Sequence, residues 1–257
     1  MDLGIAGKAA FVAASTGGLG LAVARALAAE GARVAITGRR RELAEQVAAS
    51  LPGAVAIAVD LHEPDAVGEA VGQAEAELGP IDIAVLNGPG PRPGAAASLS
   101  AEDLAGAFDL LVRPHHALVS RVLPGMRQRR WGRILAVGSS GIVAPLPNLA
   151  MSNTGRAALA GYLKTLAAEV ALDAVTVNLL LPGRIATDRV AELDAAAAKR
   201  RGISLDEVQL ESRKTIPARR YGAPEEFGAA AAFLCSAPAS YITGVALRCD
   251  GGLIRSL

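Results

Sequence analysis

Aromatic side chains are scarce in this chain. Phe, Trp and Tyr together make up 3% of its 257 residues, so the core must close through small aliphatic side chains at short separation rather than through ring clusters. Cysteine is nearly absent. Cys235 and Cys249 stand far from any CxxC spacing and in apolar, small-residue surroundings. This excludes a disulfide framework, gives no cysteine-based metal site, and suits a reduced compartment with both thiols as plain packing. An excess of either charge is also missing. Lys plus Arg total 26 against 25 for Asp plus Glu, so no overall field favours nucleic acid or an anionic membrane, and a small molecule is the expected partner. No window offers the ~20 uninterrupted apolar residues that a membrane span needs. The start "MDLGIAGKAAFVAAS" has no charged leader followed by an apolar stretch of signal length, and a cytoplasmic protein is expected.

What the chain has is a recurring pattern. The runs "KAAFVAA", "RVAIT", "AVAIAVD", "IDIAVLN", "GRILAVGS", "AVTVNLLLP" and "VALRCDGG" are short, rich in Val and Ile, and apolar on both faces, as buried parallel strands are. Helical segments separate them: Leu19–Glu30, Arg40–Ala49, Ala66–Leu78, Asp103–Arg129, Ser152–Leu172 and Pro224–Leu234, with Gly or Pro punctuating the ends. Pro114 should kink the fourth. Strand and helix alternating at this spacing predict right-handed crossovers and one α/β domain over 1–257: a Rossmann-type doubly wound parallel sheet with helices on both faces. The irregular stretches 87–100 and 181–188 follow predicted strands, where the ligand crevice of such sheets lies.

The segment 11–40, "FVAASTGGLGLAVARALAAEGARVAITGRR", reads as strand, glycine-rich turn, helix, strand and basic turn. Gly18 and Gly20 clear space for backbone to approach a pyrophosphate, and the helix that follows presents free N–H groups and a positive dipole end to that anion. With "LNGPG", "GRILAVGSSG", "VTVNLLLPGRIATD" and "SYITGVALRCDGG" added, the chain resembles, over essentially its whole length, the short-chain dehydrogenase/reductase family, most closely its 3-oxoacyl-acyl-carrier-protein reductase-like branch. In that family's glycine motif, a threonine and a glycine precede the later glycines; here Ala13 and Ala14 replace them. The resemblance assigns a dinucleotide to Ala14, Ser15, Thr16, Gly18, Leu19 and Gly20, to Asp60 and Leu61 beside the adenine, and to Asn87 and Gly88. It assigns the nicotinamide end to Pro182, Gly183, Ile185 and Thr187, with Arg156 on the ribose. An acidic residue closing the second strand would select NAD. Gly38 stands there, followed by Arg39, Arg40 and Arg41, so NADP(H) is expected in preference to NAD(H).

The family's reduction chemistry uses a tyrosine as acid, a lysine one helical turn later, a serine on the carbonyl and an asparagine supporting a water relay. Aligned on this chain, the serine is Ser139, the tyrosine position is Ser152, the lysine position is Arg156, and the asparagine position falls near Leu111. Ser152 and Arg156 share one helix face, but an aliphatic hydroxyl is a far poorer acid than a phenol, and a guanidinium holds an anion without relaying a proton. His115, one turn after Leu111, is the candidate replacement for proton exchange. An NADP(H)-dependent oxidoreductase with an atypical proton donor is therefore expected. The rivals are a silent nucleotide-binding regulator and a non-redox lyase; halohydrin dehalogenases share the fold and also carry Arg at the lysine position. The resemblance further implies a homodimer or homotetramer built on the two longest helices.

Overall fold

The computed structural model describes residues 1–256, the side chain of Pro64 excepted. Seven strands form one parallel sheet: β1 (Ala9–Val12), β2 (Arg33–Gly38), β3 (Val55–Ala58), β4 (Ile83–Leu86), β5 (Gly132–Val137), β6 (Val175–Pro182) and β7 (Ala246–Cys249). Their order is β3-β2-β1-β4-β5-β6-β7, so the winding reverses between β1 and β4. Strands β1, β4 and β5 are buried at every position, which is why they read as unbroken apolar runs.

The described residues form nine α-helices: α1 (Gly18–Ala29), α2 (Arg41–Ala49), α3 (Pro64–Leu78), α4 (Ala101–Leu111), α5 (Arg113–Arg129), α6 (Ala150–Val170), α7 (Asp188–Arg201), α8 (Leu205–Thr215) and α9 (Pro224–Leu234). One buried cluster joins α3, α5 and α6 through residues such as Val71, Leu118 and Leu163. The other joins α1, α2 and α9 through Val23, Ala44 and Phe227, so the sheet is covered on both faces as expected. Small residues set the distances. A Cβ on Gly228 would stand 2.5 Å from the Ala22 carbonyl oxygen, which is how α9 comes so close to α1.

One expected helix is two. The segment 103–129 breaks at Val112 (φ −119, ψ −56), because Pro114 has no N–H to donate and its ring crowds the carbonyl one turn back. Pro124 lies inside α5 and does not break it. Both cysteines are free thiols. No helix of the described residues is long and apolar enough to cross a membrane, and no cluster of His, Cys, Asp and Glu among them could hold a metal ion.

Candidate active site

At the carboxyl ends of the strands, beside the reversal point, lies a cavity of about 1100 Å³. Most of the expected residues line it: Ala14, Thr16, Gly18 and Leu19 from the first turn, Arg39 and Arg40 after β2, Asp60 and Leu61 after β3, Asn87 and Gly88 after β4. Ser139 follows β5, and Ser152 and Arg156 come from α6. Pro182, Gly183, Ile185 and Thr187, at and beyond the end of β6, close the far side.

The glycine turn is built by close approach. A Cβ on Gly20 would stand 2.4 Å from the Ala14 carbonyl oxygen and 2.7 Å from Nδ2 of Asn87, so Gly20 shapes the turn from behind the cavity wall. Asn87 donates from Nδ2 to the carbonyls of Ala13 (3.2 Å) and Ala14 (3.1 Å), tying the end of β4 to the turn. Helix α1 starts at Gly18 with no side chain capping it and no acidic residue in its first turn, which leaves its N–H groups and positive end for a ligand anion. Ser15 is placed differently from expectation. It is fully buried, its hydroxyl donates to the Val12 carbonyl (2.7 Å) and accepts from the Thr37 N–H (2.9 Å), and it therefore holds β1 to β2.

At the second strand, a Cβ on Gly38 would stand 2.8 Å from Cγ2 of Thr16, so a side chain here would have to displace the Thr16 methyl, and the acidic group that would select NAD is absent. Arg39 and Arg40 are exposed to the cavity. Asp60 accepts at Oδ1 from the N–H of His62 (3.0 Å) and meets its Nδ1 at 2.7 Å; these contacts hold its carboxyl below the ordinary carboxylate range.

At the other end, Arg156 donates from Nη1 to the carbonyls of Val137 (2.9 Å) and Gly138 (3.3 Å) and from Nε to Oγ of Ser152 (3.3 Å). Burial lowers its pKa. Oγ of Ser139 accepts from the Gly141 N–H (3.0 Å). Asn153 fixes the loop above: its Nδ2 donates to the Leu146 carbonyl (2.9 Å) and its Oδ1 accepts from the Leu146 N–H (3.3 Å). Leu111 is buried against Gly155, where a Cβ would stand 2.8 Å from Cδ1 of Leu111.

His115 does not fill the expected role. It is buried and faces Gly88, with Cε1 3.6 Å from where a Gly88 Cβ would stand. Burial, with the charge of Arg156 adding to it, pushes its pKa down to about 3, so near neutral pH the ring holds no ionisable proton to give. Tyr162 packs against His116, ring centroids 5.6 Å apart, and is not in the cavity wall.

Among the wall residues that the sequence reading did not single out are the charged or titratable His62, Arg184, Asp188 and Arg189. Arg184 pairs through Nη1 with Oδ1 of the buried Asp194 (2.7 Å), whose Oδ2 accepts from the Tyr221 hydroxyl (2.7 Å). The signal for Arg184 was its place in "LPGRIATD" (181–188), a stretch expected to wall the crevice, which Arg189 directly follows; the signal for His62 was its spacing of two from Asp60.

The fold and this cavity are those of a Rossmann-type α/β protein with its crevice at the strand reversal. The profile described as Enoyl-(Acyl carrier protein) reductase matches residues 13–254. The 3-oxoacyl-[acyl-carrier-protein] reductase of Aquifex aeolicus is 32% identical over 98% of this chain and 100% of its own length. An NADPH-dependent reductase of Bacillus subtilis is 30% identical over 97% and 99%. The solved L-sorbose reductase of Gluconobacter frateurii, complexed with NADPH and L-sorbose, superposes with a TM-score of 0.94 at 32% identity, covering 100% of both chains. The chain belongs to the short-chain dehydrogenase/reductase family.

Proposed function

We propose that the protein is an NADP(H)-dependent oxidoreductase that interconverts a carbonyl compound and its alcohol. The observation that carries this reading is the single cavity running from the glycine turn and the basic turn at Arg39 to Ser139, Ser152 and Arg156. The uncapped start of α1 suits the pyrophosphate, and Arg39 and Arg40 suit a 2′-phosphate. NADPH-bound and NADPH-dependent relatives support the same cofactor.

When bound, the reduced nicotinamide supplies a hydride to the carbonyl carbon; the C=O π pair moves to oxygen, and a proton completes the alcohol. The protein holds the oxygen where charge develops. Ser139 and Ser152 offer hydroxyls and Arg156 a fixed positive charge, all in the cavity wall before the reaction begins. Among the described residues no tyrosine lines the cavity, and burial keeps His115 neutral, which leaves water at Ser152 or a group on the substrate itself as the proton donor. A cytoplasmic homodimer or homotetramer completes the reading.

The test is titration with NADPH and NADH, followed by a panel of ketones, aldehydes and alcohols. Charge-assisted bonds to the 2′-phosphate should favour NADPH by roughly ten-fold to over a hundred-fold, and Arg39→Asp should reverse the preference. The nicotinamide's own fluorescence is the suitable signal, since Trp131 stands at the amino end of β5 between Lys8 (4.1 Å) and Arg133 (4.5 Å). Equal affinities overturn the cofactor preference. Binding with no turnover across the panel would favour a regulator, a reading supported by the missing tyrosine and lysine.

A further inference from the structure

The chain is almost neutral overall, but its cavity is not. The wall carries Arg39, Arg40, Arg156, Arg184 and Arg189, against Asp60 and Asp188 as its carboxylates. Asp60 is engaged by His62, and Arg184 is neutralised by Asp194. Arg39 and Arg40 then stand against Asp60 at one end, and Arg156 and Arg189 against Asp188 at the other, so each end keeps an excess of positive charge, and low-dielectric walls focus such a field on whatever enters. The basic turn accounts for one end.

Arg156 dominates the other. Nη1 and Nε are committed to Val137, Gly138 and Ser152, whereas among the described residues Nη2 has no acceptor and is not sealed from solvent, and Arg156 lies in the cavity wall. The side chain is half-buried, burial lowers its pKa, and among the described residues no carboxylate forms an ion pair with it. A cation drawn out of water without an anion is costly. A neutral carbonyl oxygen would occupy a hydrogen of Nη2 and leave the charge uncompensated; a carboxylate satisfies both. A second cation stands on α7. Arg189 reaches toward the loop after β4, its Nη2 4.0 Å from where a Gly90 Cβ would stand, and its ion pair with Glu192 is long (3.5 Å) and exposed. Leu146, Leu149, Val190 and Leu193 supply apolar wall to the same cavity.

We infer that the substrate is a small organic carboxylate, an oxo acid or the matching hydroxy acid, with its carboxylate seated on Nη2 of Arg156. The inference rests on the oxidoreductase reading above for the reaction, but its test requires no turnover.

The probes are benzoate and benzamide, equal in shape and different in charge, titrated by calorimetry into the protein alone and into the protein saturated with NADP⁺. Benzoate should bind at least about ten-fold more tightly, and more weakly as salt rises. Arg156→Gln, which removes the charge and Nη2, should abolish that preference. Equal binding of the two probes overturns the inference, as does a preference that survives Arg156→Gln. Displacement of benzoate by NADP⁺ also overturns it, by assigning the anion to the cofactor end. The unmodified protein decides the first and third of these even where the variant fails to fold. Failure of NADPH to bind would strike the oxidoreductase reading separately, with the anion measurement on the protein alone still standing.

Discussion

Ala14 carries a methyl group where the backbone favours none: its φ is +47, a left-handed conformation that costs an L-residue about 1–2 kcal/mol. The strain sits at the turn that meets the expected pyrophosphate, held in place by Asn87. His115 shows a different residue-scale effect. Its folded pKa of about 3 lies below the ordinary 6.5, so between those values the unfolded chain takes up a proton that the folded protein refuses. The resulting stability is complete above pH 6.5 and is lost as pH falls through that window. Acidification from pH 7 to 5 should cost about 2 kcal/mol through this group. Urea unfolding at both pH values measures it: His115→Leu should lessen the acid loss by that amount, and identical losses in both proteins would contradict the assignment. The sequence made Ala14 visible as a departure from the family's glycine motif and His115 as an ionisable side chain one turn after Leu111. It could not show that His115 turns inward, because the buried face of α5 is decided by its packing against β4 and its neighbours.

Elements position the site through a few close contacts. Gly155 lets α6 settle on Leu111 of α4, which sets where Ser152 and Arg156 stand. Helix α7 is anchored by the Arg184–Asp194–Tyr221 contacts. Asp194 is 1% exposed and the Arg184 side chain 38%, so the two partners are not equivalent. Removing Arg184 strands a buried carboxylate with a hydroxyl alone, whereas removing the charge of Asp194 leaves a cation that can reach water. Arg184→Met should therefore cost about 3 kcal/mol in a denaturant titration, and Asp194→Asn clearly less; the reverse order would show that α7 is held otherwise. Strands and their sequence were legible because β1, β4 and β5 are buried on both faces. The break at Val112 was legible only as a kink at Pro114, and the anchoring of α7 was not legible at all, since it joins residues 184, 194 and 221 across two helices.

At the scale of the molecule, the two buried clusters account for the inner faces of the helices and leave apolar surface outside. Leu104 and Phe108 are exposed on α4, and Tyr241, Val245 and Leu247 are exposed on and before the edge strand β7. An edge strand with apolar side chains is a surface that proteins ordinarily cover, and exposed apolar area on a helix favours a like surface on a second copy. The resemblance pointed to the two longest expected helices, 103–129 and 152–172, the first of which carries the helical patch; the β7 surface depends on the strand order and became visible only with the sheet. Two separate patches on one chain can give a dimer through either and a tetramer through both. Light scattering at micromolar concentration should thus report a dimer or tetramer, and Phe108→Glu, which places a charge in the helical patch, should lower the mass by half or more. A monomer for the unmodified protein would remove the assembly, while a mass unchanged by Phe108→Glu would assign the contact to β7 alone.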